Sequence, residues 1–219
     1  MNPNFRPRDR LFINAYRVIQ TDVEALIECL TGHVNSREHY YRVRATDPSL
    51  LSRVERAARF IYLNKTCYNG LWRVNKKGQF NAPFGRYKNP LICDHENLRS
   101  VSQALKGVML LCEDFEVAVK SAQSGDFVYF DPPYHPVSET AYFTSYVDDG
   151  FGPEEQERLA EVFRELSDKG VLVMLSNSDR EYIRDLYRGF RIESVQAKRA
   201  INCRADRRGP VSELIIRNY

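Results

Sequence analysis

The residues Asp131-Pro132-Pro133-Tyr134 place hydrogen-bond acceptors beside a flat aromatic ring, directly after the short apolar run Phe127–Phe130. Two consecutive prolines have no backbone N–H and fix the backbone, so that carbonyl oxygens point in set directions. The neighbouring carboxylate adds another acceptor. Two acceptors and a stacking ring suit the exocyclic amino group of a nucleic-acid base, whereas the alternative is a rigid turn that ends a strand with a solvated aspartate.

The elements that must position this turn are predicted to be alternating strands and helices. Phe127–Phe130, Val108–Cys112 and Val171–Leu175 are short apolar runs, typical of strands covered on both faces. The alternation favours an open, mainly parallel α/β sheet, in which ligands bind at the carboxyl ends of the strands, where Asp131 falls. The remaining elements predicted here are helices over Pro153–Ser167 and Asp179–Tyr187 and closing strands over Phe190–Val195 and Glu213–Ile216.

The first third of the chain is predicted to be helical. Apolar residues recur with a period near 3.6 over Ala15–Leu30, and Thr31-Gly32 is a suitable end for that helix. A second helix is predicted over Ser52–Leu63, because Ser52 and Glu55 have the spacing of a capping box.

Basic residues are concentrated in one segment of the 219-residue chain, whose net charge is +3. Arg56–Cys93 contains eight lysines and arginines and no acidic residue, while the rest of the chain carries 24 basic against 29 acidic residues. Such a segment is the expected electrostatic footprint for a polyanion, although a solvated face is the alternative. The turn sequence Asn75-Lys76-Lys77-Gly78 within it predicts a β-hairpin near residues 67–88 with a basic tip.

Several classes of protein are disfavoured by composition. No apolar run is long enough for a membrane helix, and the polar stretch Met1–Arg10 does not suit a secretory signal. The five cysteines are far apart and lack the spacing of a zinc site, so we expect free thiols in a reducing cytoplasm and no metal.

Several motifs in order give this chain a family resemblance. Asp131–Tyr134, the preceding Leu111-Cys112-Glu113-Asp114-Phe115, the basic stretch Tyr68–Asn75 and the later Leu175-Ser176-Asn177-Ser178-Asp179 resemble the Dam-type adenine-N6-specific DNA methyltransferases. The resemblance implies a Rossmann-like methyltransferase sheet with a helical and β-hairpin insertion for DNA recognition. On that basis residues 1–32 are the remainder of the N-terminal catalytic half, residues 33–104 the target-recognition region and residues 105–219 the catalytic α/β half.

The resemblance also implies a reaction and its residues. S-adenosyl-L-methionine is the implied cofactor, and the implied substrate is an adenine flipped out of a short duplex site, with GATC as the preferred site. Asp131 and the Pro132 carbonyl are expected to accept hydrogen bonds from the amino group, Pro133 to stiffen the turn and Tyr134 to stack on the base. The residues expected at the cofactor are Asp114, Phe115 and Asp131, although Asp114 could equally serve as a helix N-cap.

The same resemblance assigns roles in the basic segment. Arg73 is expected to read a guanine, since paired hydrogen bonds from arginine are the commonest specific contact in the major groove. Tyr68 and Asn69 are expected beside the extruded base, and Pro83 and Arg86 at bases and backbone. Phosphate contacts are expected from Lys76, Lys77 and Lys88. We expect a monomer on double-stranded DNA, without a membrane partner.

One part of the family pattern is not found in this sequence. Members of the family normally begin with a segment containing Trp, Gly and Lys, then a Gly-rich turn after a strand and an acidic residue for the cofactor ribose. Here the first glycine is Gly32. We therefore expect the N-terminal strand or strands of the sheet to be missing. Three alternatives follow: a fragment of an active enzyme, one half of a split enzyme completed by an N-terminal fragment, or a truncated non-catalytic DNA-binding relative.

Overall fold

The computed structural model describes residues 7–75, 77–136, 151–198 and 210–219 of the chain. The chain is divided into two compact units, residues 1–113 and residues 114–219. Each has its own core of buried apolar side chains, the first built from helices and the second from a sheet and its covering helices.

The first unit is organised around one central helix. Helix α4, Arg53–Thr66, packs against α1, α2 and α3 and buries Ala57, Ala58, Tyr62 and Leu63 completely. The other helices of this unit are α1 Pro7–Thr21, α2 Val23–Thr31, α3 Arg37–Ala45 and α5 His95–Ala104, with 3-10 turns at Pro48–Leu50 and Tyr68–Gly70.

Local signals set the helix boundaries in this unit. The capping box predicted at Ser52 is confirmed, because the Ser52 Oγ accepts from the Glu55 N–H at 3.2 Å and a Glu55 oxygen accepts from the Ser52 N–H at 2.8 Å. The prediction of one helix over Ala15–Leu30 was wrong. The helix breaks at Asp22, whose ψ of 36° leaves the helical region and whose carboxylate accepts from Arg53 at 2.7 Å.

The second unit contains a four-stranded mixed sheet. Strands β1 Phe127–Phe130 and β2 Leu172–Ser178 are parallel, whereas β3 Arg191–Lys198 and β4 Pro210–Arg217 pair antiparallel in the order β1-β2-β4-β3. The expectation of a mainly parallel sheet was therefore wrong for these strands. Only residues 199–209 separate β3 from β4, and parallel neighbours need a crossover of about a dozen residues or more.

Helices pack on this sheet and position its strand ends. They are α6 Phe115–Ala118, α7 Pro153–Asp168 and α8 Glu181–Leu186. The inner face of α7 buries Leu159, Phe163 and Leu166 in one core with Leu175 of β2 and Leu214 of β4. The strand β1, which precedes Asp131, is as predicted.

The predicted strand over Val108–Cys112 is wrong, since no strand is formed there. Side chains of α1, rather than a neighbouring strand, donate hydrogen bonds to the backbone of this stretch. The Leu110 carbonyl accepts from Arg17 at 2.8 Å, and the Val108 carbonyl accepts from Gln20 at 2.8 Å. Met109 is 79% exposed. Helix α1 thus satisfies backbone carbonyls that a sheet would otherwise bond.

The stability of the first unit should depend on pH because of two neighbouring histidines, His33 and His39. Burial, followed by the neighbouring His39, lowers the pKa of His33 to about 4. The unfolded chain therefore binds this proton first, so the stability due to neutral His33 is complete above about pH 6.5 and is lost as pH falls towards 4. The free energy of unfolding, measured with urea, should fall between pH 7 and pH 5 by about 1 kcal/mol less in His33→Asn than in the parent. This difference includes a reduction for the partial exposure of His33. Equal drops in both proteins would contradict it.

Candidate functional site

The turn after β1 begins with a carboxylate held from the neighbouring strand. The parallel register sets Phe130 beside Leu175, so Asp131 follows β1 where Ser176 continues β2. The Ser176 hydroxyl donates to Asp131 Oδ1 at 3.0 Å and is hydrogen-bonded to the Tyr129 hydroxyl at 2.9 Å. Asp131 is exposed, and no residue in the described ranges donates to its Oδ2.

Buried side chains hold the backbone of the same turn. Gln156 Nε2 donates to the Pro133 carbonyl at 2.9 Å, and the His135 N–H donates to Asn177 Oδ1 at 3.0 Å. The Ser178 hydroxyl donates to the His135 carbonyl at 2.8 Å. The Pro132 carbonyl precedes the Pro133 and His135 carbonyls in the chain. No residue in the described part of the chain donates a hydrogen bond to it. One acceptor is thus left open beside Asp131.

Tyr134 is partly buried, and its hydroxyl donates to Glu213 Oε2 of β4 at 3.4 Å. Burial is the main cause that raises the pKa of Tyr134, with smaller contributions from Glu213 and Asp131. The side chain is therefore neutral at physiological pH and is suited to stacking.

Asp114 caps a helix and binds an arginine. Its carboxylate accepts from the Glu116 N–H at 3.0 Å and from both terminal nitrogens of Arg158 at 2.8 Å. This ion pair lowers the pKa of Asp114, although partial burial opposes the shift. The guanidinium of Arg158 also lies 4.0 Å from the centre of the Phe115 ring. The N-cap that the sequence left open for Asp114 is therefore formed.

The basic segment doubles back on itself between Cys67 and Phe84. Isolated antiparallel bridges join Cys67 to Phe84 and Val74 to Phe80, and no continuous strand is formed in the described residues. At the tip, Asn75 Oδ1 accepts from the Lys77 and Gln79 backbone N–H groups at 2.9 and 3.0 Å. Short-range polar bonds therefore shape this tip. We call residues 67–88 the hairpin segment.

The side chains predicted to contact DNA project from this segment. All those the structure describes are exposed, and none of their cations forms an ion pair with an acidic residue in the described ranges. Lys76 lies outside the described residues. The set placed on this segment comprises Tyr68, Asn69, Arg73, Lys77, Pro83, Arg86 and Lys88.

Arg73 is held by one neighbour in a way that leaves part of its guanidinium open. Its Nε donates to Asn81 Oδ1 at 2.8 Å, and one terminal nitrogen donates to the Asn81 carbonyl at 3.3 Å. A guanidinium has five N–H donors, so three remain, including one on each terminal nitrogen. That pair is the fork that binds two acceptors on a guanine edge.

Close backbone approach fixes the far arm of the hairpin segment. A Cβ at Gly85 would lie 2.6 Å from the Cys67 carbonyl oxygen and 2.6 Å from a Tyr87 ring carbon. The next residue, Arg86, has a φ of 56°, which a side chain larger than glycine rarely adopts. The absence of a side chain at Gly85 thus lets the backbone pass close to Cys67, next to a residue in the left-handed region.

Gly85→Ala should therefore destabilise the first unit by about 1–3 kcal/mol, because backbone atoms must shift to admit the methyl group. The matched control is Gly32→Ala, where the nearest atom to a Cβ is 3.5 Å away, so a change below about 0.5 kcal/mol is expected. Urea unfolding of both variants measures the difference. Equal stability of the two would show that the hairpin segment closes differently.

Sequence reasoning missed the residues that support the site. Gln156 and Arg158 lie on a predicted amphipathic helix, where polar residues are normally assigned to solvent. The one signal for Gln156 is its spacing of three and four residues from the apolar Leu159 and Ala160. Asn81 carried no signal of its own, because its role depends on the fold of the hairpin segment.

Comparison with known families decides the identity. A model of the "D12 class N6 adenine-specific DNA methyltransferase" family matches residues 10–201. The chain belongs to this family. The predicted resemblance is therefore confirmed, and the D12 class methyltransferases are enzymes that act on adenine in DNA.

Individual relatives match this chain over most of its length. The type II methyltransferase M1.LlaDCHI of Lactococcus lactis subsp. cremoris is 48% identical over 94% of this chain and 76% of its own length. The type II methyltransferase M.MjaIII of Methanocaldococcus jannaschii is 47% identical over 93% and 75%. The DNA adenine methylase of Escherichia coli (strain K12) is 35% identical over 93% and 74%.

Two further observations concern partners. No helix in the ranges given above is long and apolar enough to cross a membrane. Within those ranges, no group of three or more histidine, cysteine, aspartate or glutamate side chains could hold a metal ion.

Proposed function

We propose that this D12 class chain transfers a methyl group from S-adenosyl-L-methionine to the N6 atom of an adenine that is flipped out of duplex DNA. The observation that carries the proposal is the pair of open acceptors after β1, Asp131 Oδ2 and the Pro132 carbonyl. Both lie at the carboxyl end of a strand in an α/β sheet, where ligands bind. An adenine amino group has two N–H donors, which match two acceptors.

The two acceptors would act on the nucleophile itself. The lone pair of the amino nitrogen is delocalised into the adenine ring and is a weak nucleophile. Hydrogen bonds to Asp131 and to the Pro132 carbonyl draw the nitrogen towards tetrahedral geometry, so the lone pair is directed at the methyl donor. Positioning and electrostatics supply the rate in such a step.

Tyr134 offers a surface for the flipped base. Extrusion of a base costs roughly a few kcal/mol of lost stacking and pairing, and stacking on an aromatic ring recovers about 1–3 kcal/mol. The hydrogen bond from the Tyr134 hydroxyl to Glu213 limits rotation of the ring. A preset ring loses less conformational freedom when the base arrives.

The residues around Asp114 fit the adenine end of the cofactor. Oδ2 of Asp114 accepts one hydrogen bond, from Arg158, and so retains the capacity to accept another from an amino group. The neighbouring Phe115 ring lies against Arg158 and beside Phe130 and Phe151, and we assign it to packing against the adenine of the cofactor. When bound, S-adenosyl-L-methionine would supply an electrophilic methyl group, whose bond to sulfur breaks as its bond to N6 forms, so that S-adenosyl-L-homocysteine leaves and N6 loses one proton to solvent. Asp131 is the third residue we assign to the cofactor site.

We assign recognition of the duplex to the hairpin segment, with GATC as the preferred site. Arg73 reads a guanine through its open fork, while Tyr68 and Asn69 contact the step beside the extruded base. Lys77 and Lys88 contact phosphates, as does Lys76, and Pro83 and Arg86 contact bases and backbone. Lys65 and Lys88 line a depression of about 390 Å³, which places two cations where a backbone could pass.

The proposal extends to organisation and setting. Residues 33–104 form the target-recognition region, and residues 1–32 and 105–219 belong to the catalytic part. A monomer is the default for an enzyme that reads one step of a duplex asymmetrically, and we assign a monomer on that ground. Relatives from bacteria and a phage favour a cytoplasmic enzyme of the nucleoid.

The position of the new methyl group tests this proposal. The full chain is incubated with S-adenosyl-L-methionine and duplex DNA, which is then digested to nucleosides and analysed by mass spectrometry. The expected product is N6-methyldeoxyadenosine. A methyl group on cytosine N4 would contradict the assignment of the acceptor pair to adenine, and DNA without a methyl group would contradict the activity.

A further inference from the structure

Three buried polar side chains surround the turn Asp131–His135 in the second unit. Gln156 of α7 and Asn177 and Ser178 of β2 are 1%, 0% and 2% exposed. Burial of an amide or hydroxyl is unfavourable unless each polar atom has a hydrogen-bond partner. We call these three residues the turn clamp.

The turn clamp is a connected network that ends on backbone atoms of the turn. Asn177 Nδ2 donates to Gln156 Oε1 at 3.0 Å, which orients the amide of Gln156 so that its Nε2 faces the Pro133 carbonyl. The other side of Asn177 accepts from the His135 N–H, and Ser178 donates to the His135 carbonyl. Two side chains thus fix His135, and one fixes Pro133.

This turn cannot be held by ordinary backbone bonds at its centre. Pro132 and Pro133 have no N–H, so neither can donate to a neighbouring strand. Proline fixes φ, and the proline that follows Pro132 confines its ψ to the extended region, so the turn itself is stiff. The bonds to the Pro133 carbonyl and to Asp131 then set how this stiff turn is oriented against α7 and β2, and with it the direction of the Pro132 carbonyl.

A polar residue at position 156 is unexpected on packing grounds alone. Gln156 shares the inner face of α7 with Leu159, Phe163 and Leu166, which pack in the core. An apolar side chain would suit that face equally well. Gln156 makes hydrogen bonds there in place of apolar contacts. Those bonds lead to the turn that carries the two open acceptors.

We propose that Gln156 and Asn177 are positioning residues for methyl transfer, because they hold the backbone at Pro133 and His135 and thereby keep the Pro132 carbonyl in the direction that the adenine amino group requires. The Asp131 carboxylate beside it is held by Ser176. This inference rests on the proposed function. Neither Gln156 nor Asn177 touches the substrate, and their effect is exerted through the backbone of the turn.

The test compares Gln156→Met with a matched core variant, Leu166→Ala. Methionine keeps the length of the side chain but leaves the Pro133 carbonyl and Asn177 Nδ2 without their partner. Leu166 is buried on the same helix, about 15 Å along its axis from Gln156 at a rise of 1.5 Å per residue. The single-turnover rate of methyl transfer is measured with enzyme in excess over duplex, together with the duplex Kd and the Tm of each variant.

Gln156→Met should lower the single-turnover rate about a hundredfold, since small misplacement of reacting groups has effects of that size. Its duplex Kd should stay within about twofold of the parent value, because the changed step follows binding. Leu166→Ala should lower Tm at least as far as Gln156→Met and yet keep the rate within about twofold.

Each outcome decides between the alternatives. If Gln156→Met transfers methyl groups at the same single-turnover rate as the parent, the inference is overturned and the proposed function stays intact. The same holds if Leu166→Ala loses as much rate as Gln156→Met. An inactive parent chain would refute the proposed function and this inference together. If Gln156→Met does not fold, Gln156→Glu retains an acceptor for Asn177 and loses the donor to Pro133. The same loss of rate is then expected, and a parent rate would overturn the inference.

Discussion

Asp131→Ala should strongly lower the rate of methyl transfer while the protein still binds duplex DNA. The alanine removes one of the two acceptors that we propose to activate the adenine amino group, and loss of one such electrostatic contact lowers rates by about a hundredfold to a thousandfold. We assign duplex affinity instead to the exposed cations of the hairpin segment. The single-turnover rate and the duplex Kd, measured on the same protein, give the two quantities.

The control for this prediction is Asp131→Asn, which keeps a carbonyl acceptor of nearly the same size. Its rate should lie between those of the parent and Asp131→Ala, because the neutral oxygen accepts a weaker hydrogen bond. An equal loss of rate and duplex affinity in Asp131→Ala would mean that the carboxylate supports the fold or the binding surface. The assignment of Asp131 to catalysis would then be wrong.

Arg73→Ala should relax discrimination at one base pair of the target site. Paired hydrogen bonds from a guanidinium to guanine contribute about 1–3 kcal/mol of discrimination against the wrong base. Asn81 holds one edge of Arg73, so the remaining fork is already oriented before DNA binds. Affinities for a set of duplexes, each with one base pair replaced, locate the position whose preference is lost.

The comparison variant is Lys77→Ala, whose exposed ammonium group we assign to a phosphate. It should weaken binding to every duplex by a similar factor and reduce the slope of log K against log salt by about one. If Arg73→Ala shows this uniform weakening and unchanged base preferences, Arg73 contacts the backbone and another residue reads the guanine.

Local chemistry predicted part of the fold well. The capping box at Ser52 and Glu55 depends on residues three apart, and it forms as expected. The break at Asp22 was not predicted, because the apolar period continues through it and the carboxylate is bonded by Arg53, distant in sequence. The apolar run Val108–Cys112 has the composition of a strand, but a strand also requires a partner, which composition does not report.

The candidate site likewise has a part that the sequence predicts and a part that it does not. The position of Asp131 at the end of β1 followed from the apolar run before it and from the general rule for α/β sheets. The turn clamp was not predictable, because its bonds join residues more than twenty positions apart in the chain. A glutamine on an amphipathic helix carries no sign of such a partner. The spacing of Gln156 from Leu159 and Ala160 suits the inner face of the helix, but only the packed structure shows that its amide reaches the Pro133 carbonyl.

The most direct test of the central claim is transfer of labelled methyl groups by the purified 219-residue chain. Two duplexes of equal composition are compared, one with a GATC site and one with the same bases scrambled, and labelled S-adenosyl-L-methionine is the donor. We predict incorporation into the GATC duplex and background counts in the scrambled one. Equal incorporation into both would contradict the assigned site, and no incorporation despite measurable duplex binding would contradict the account of this chain as a methyltransferase.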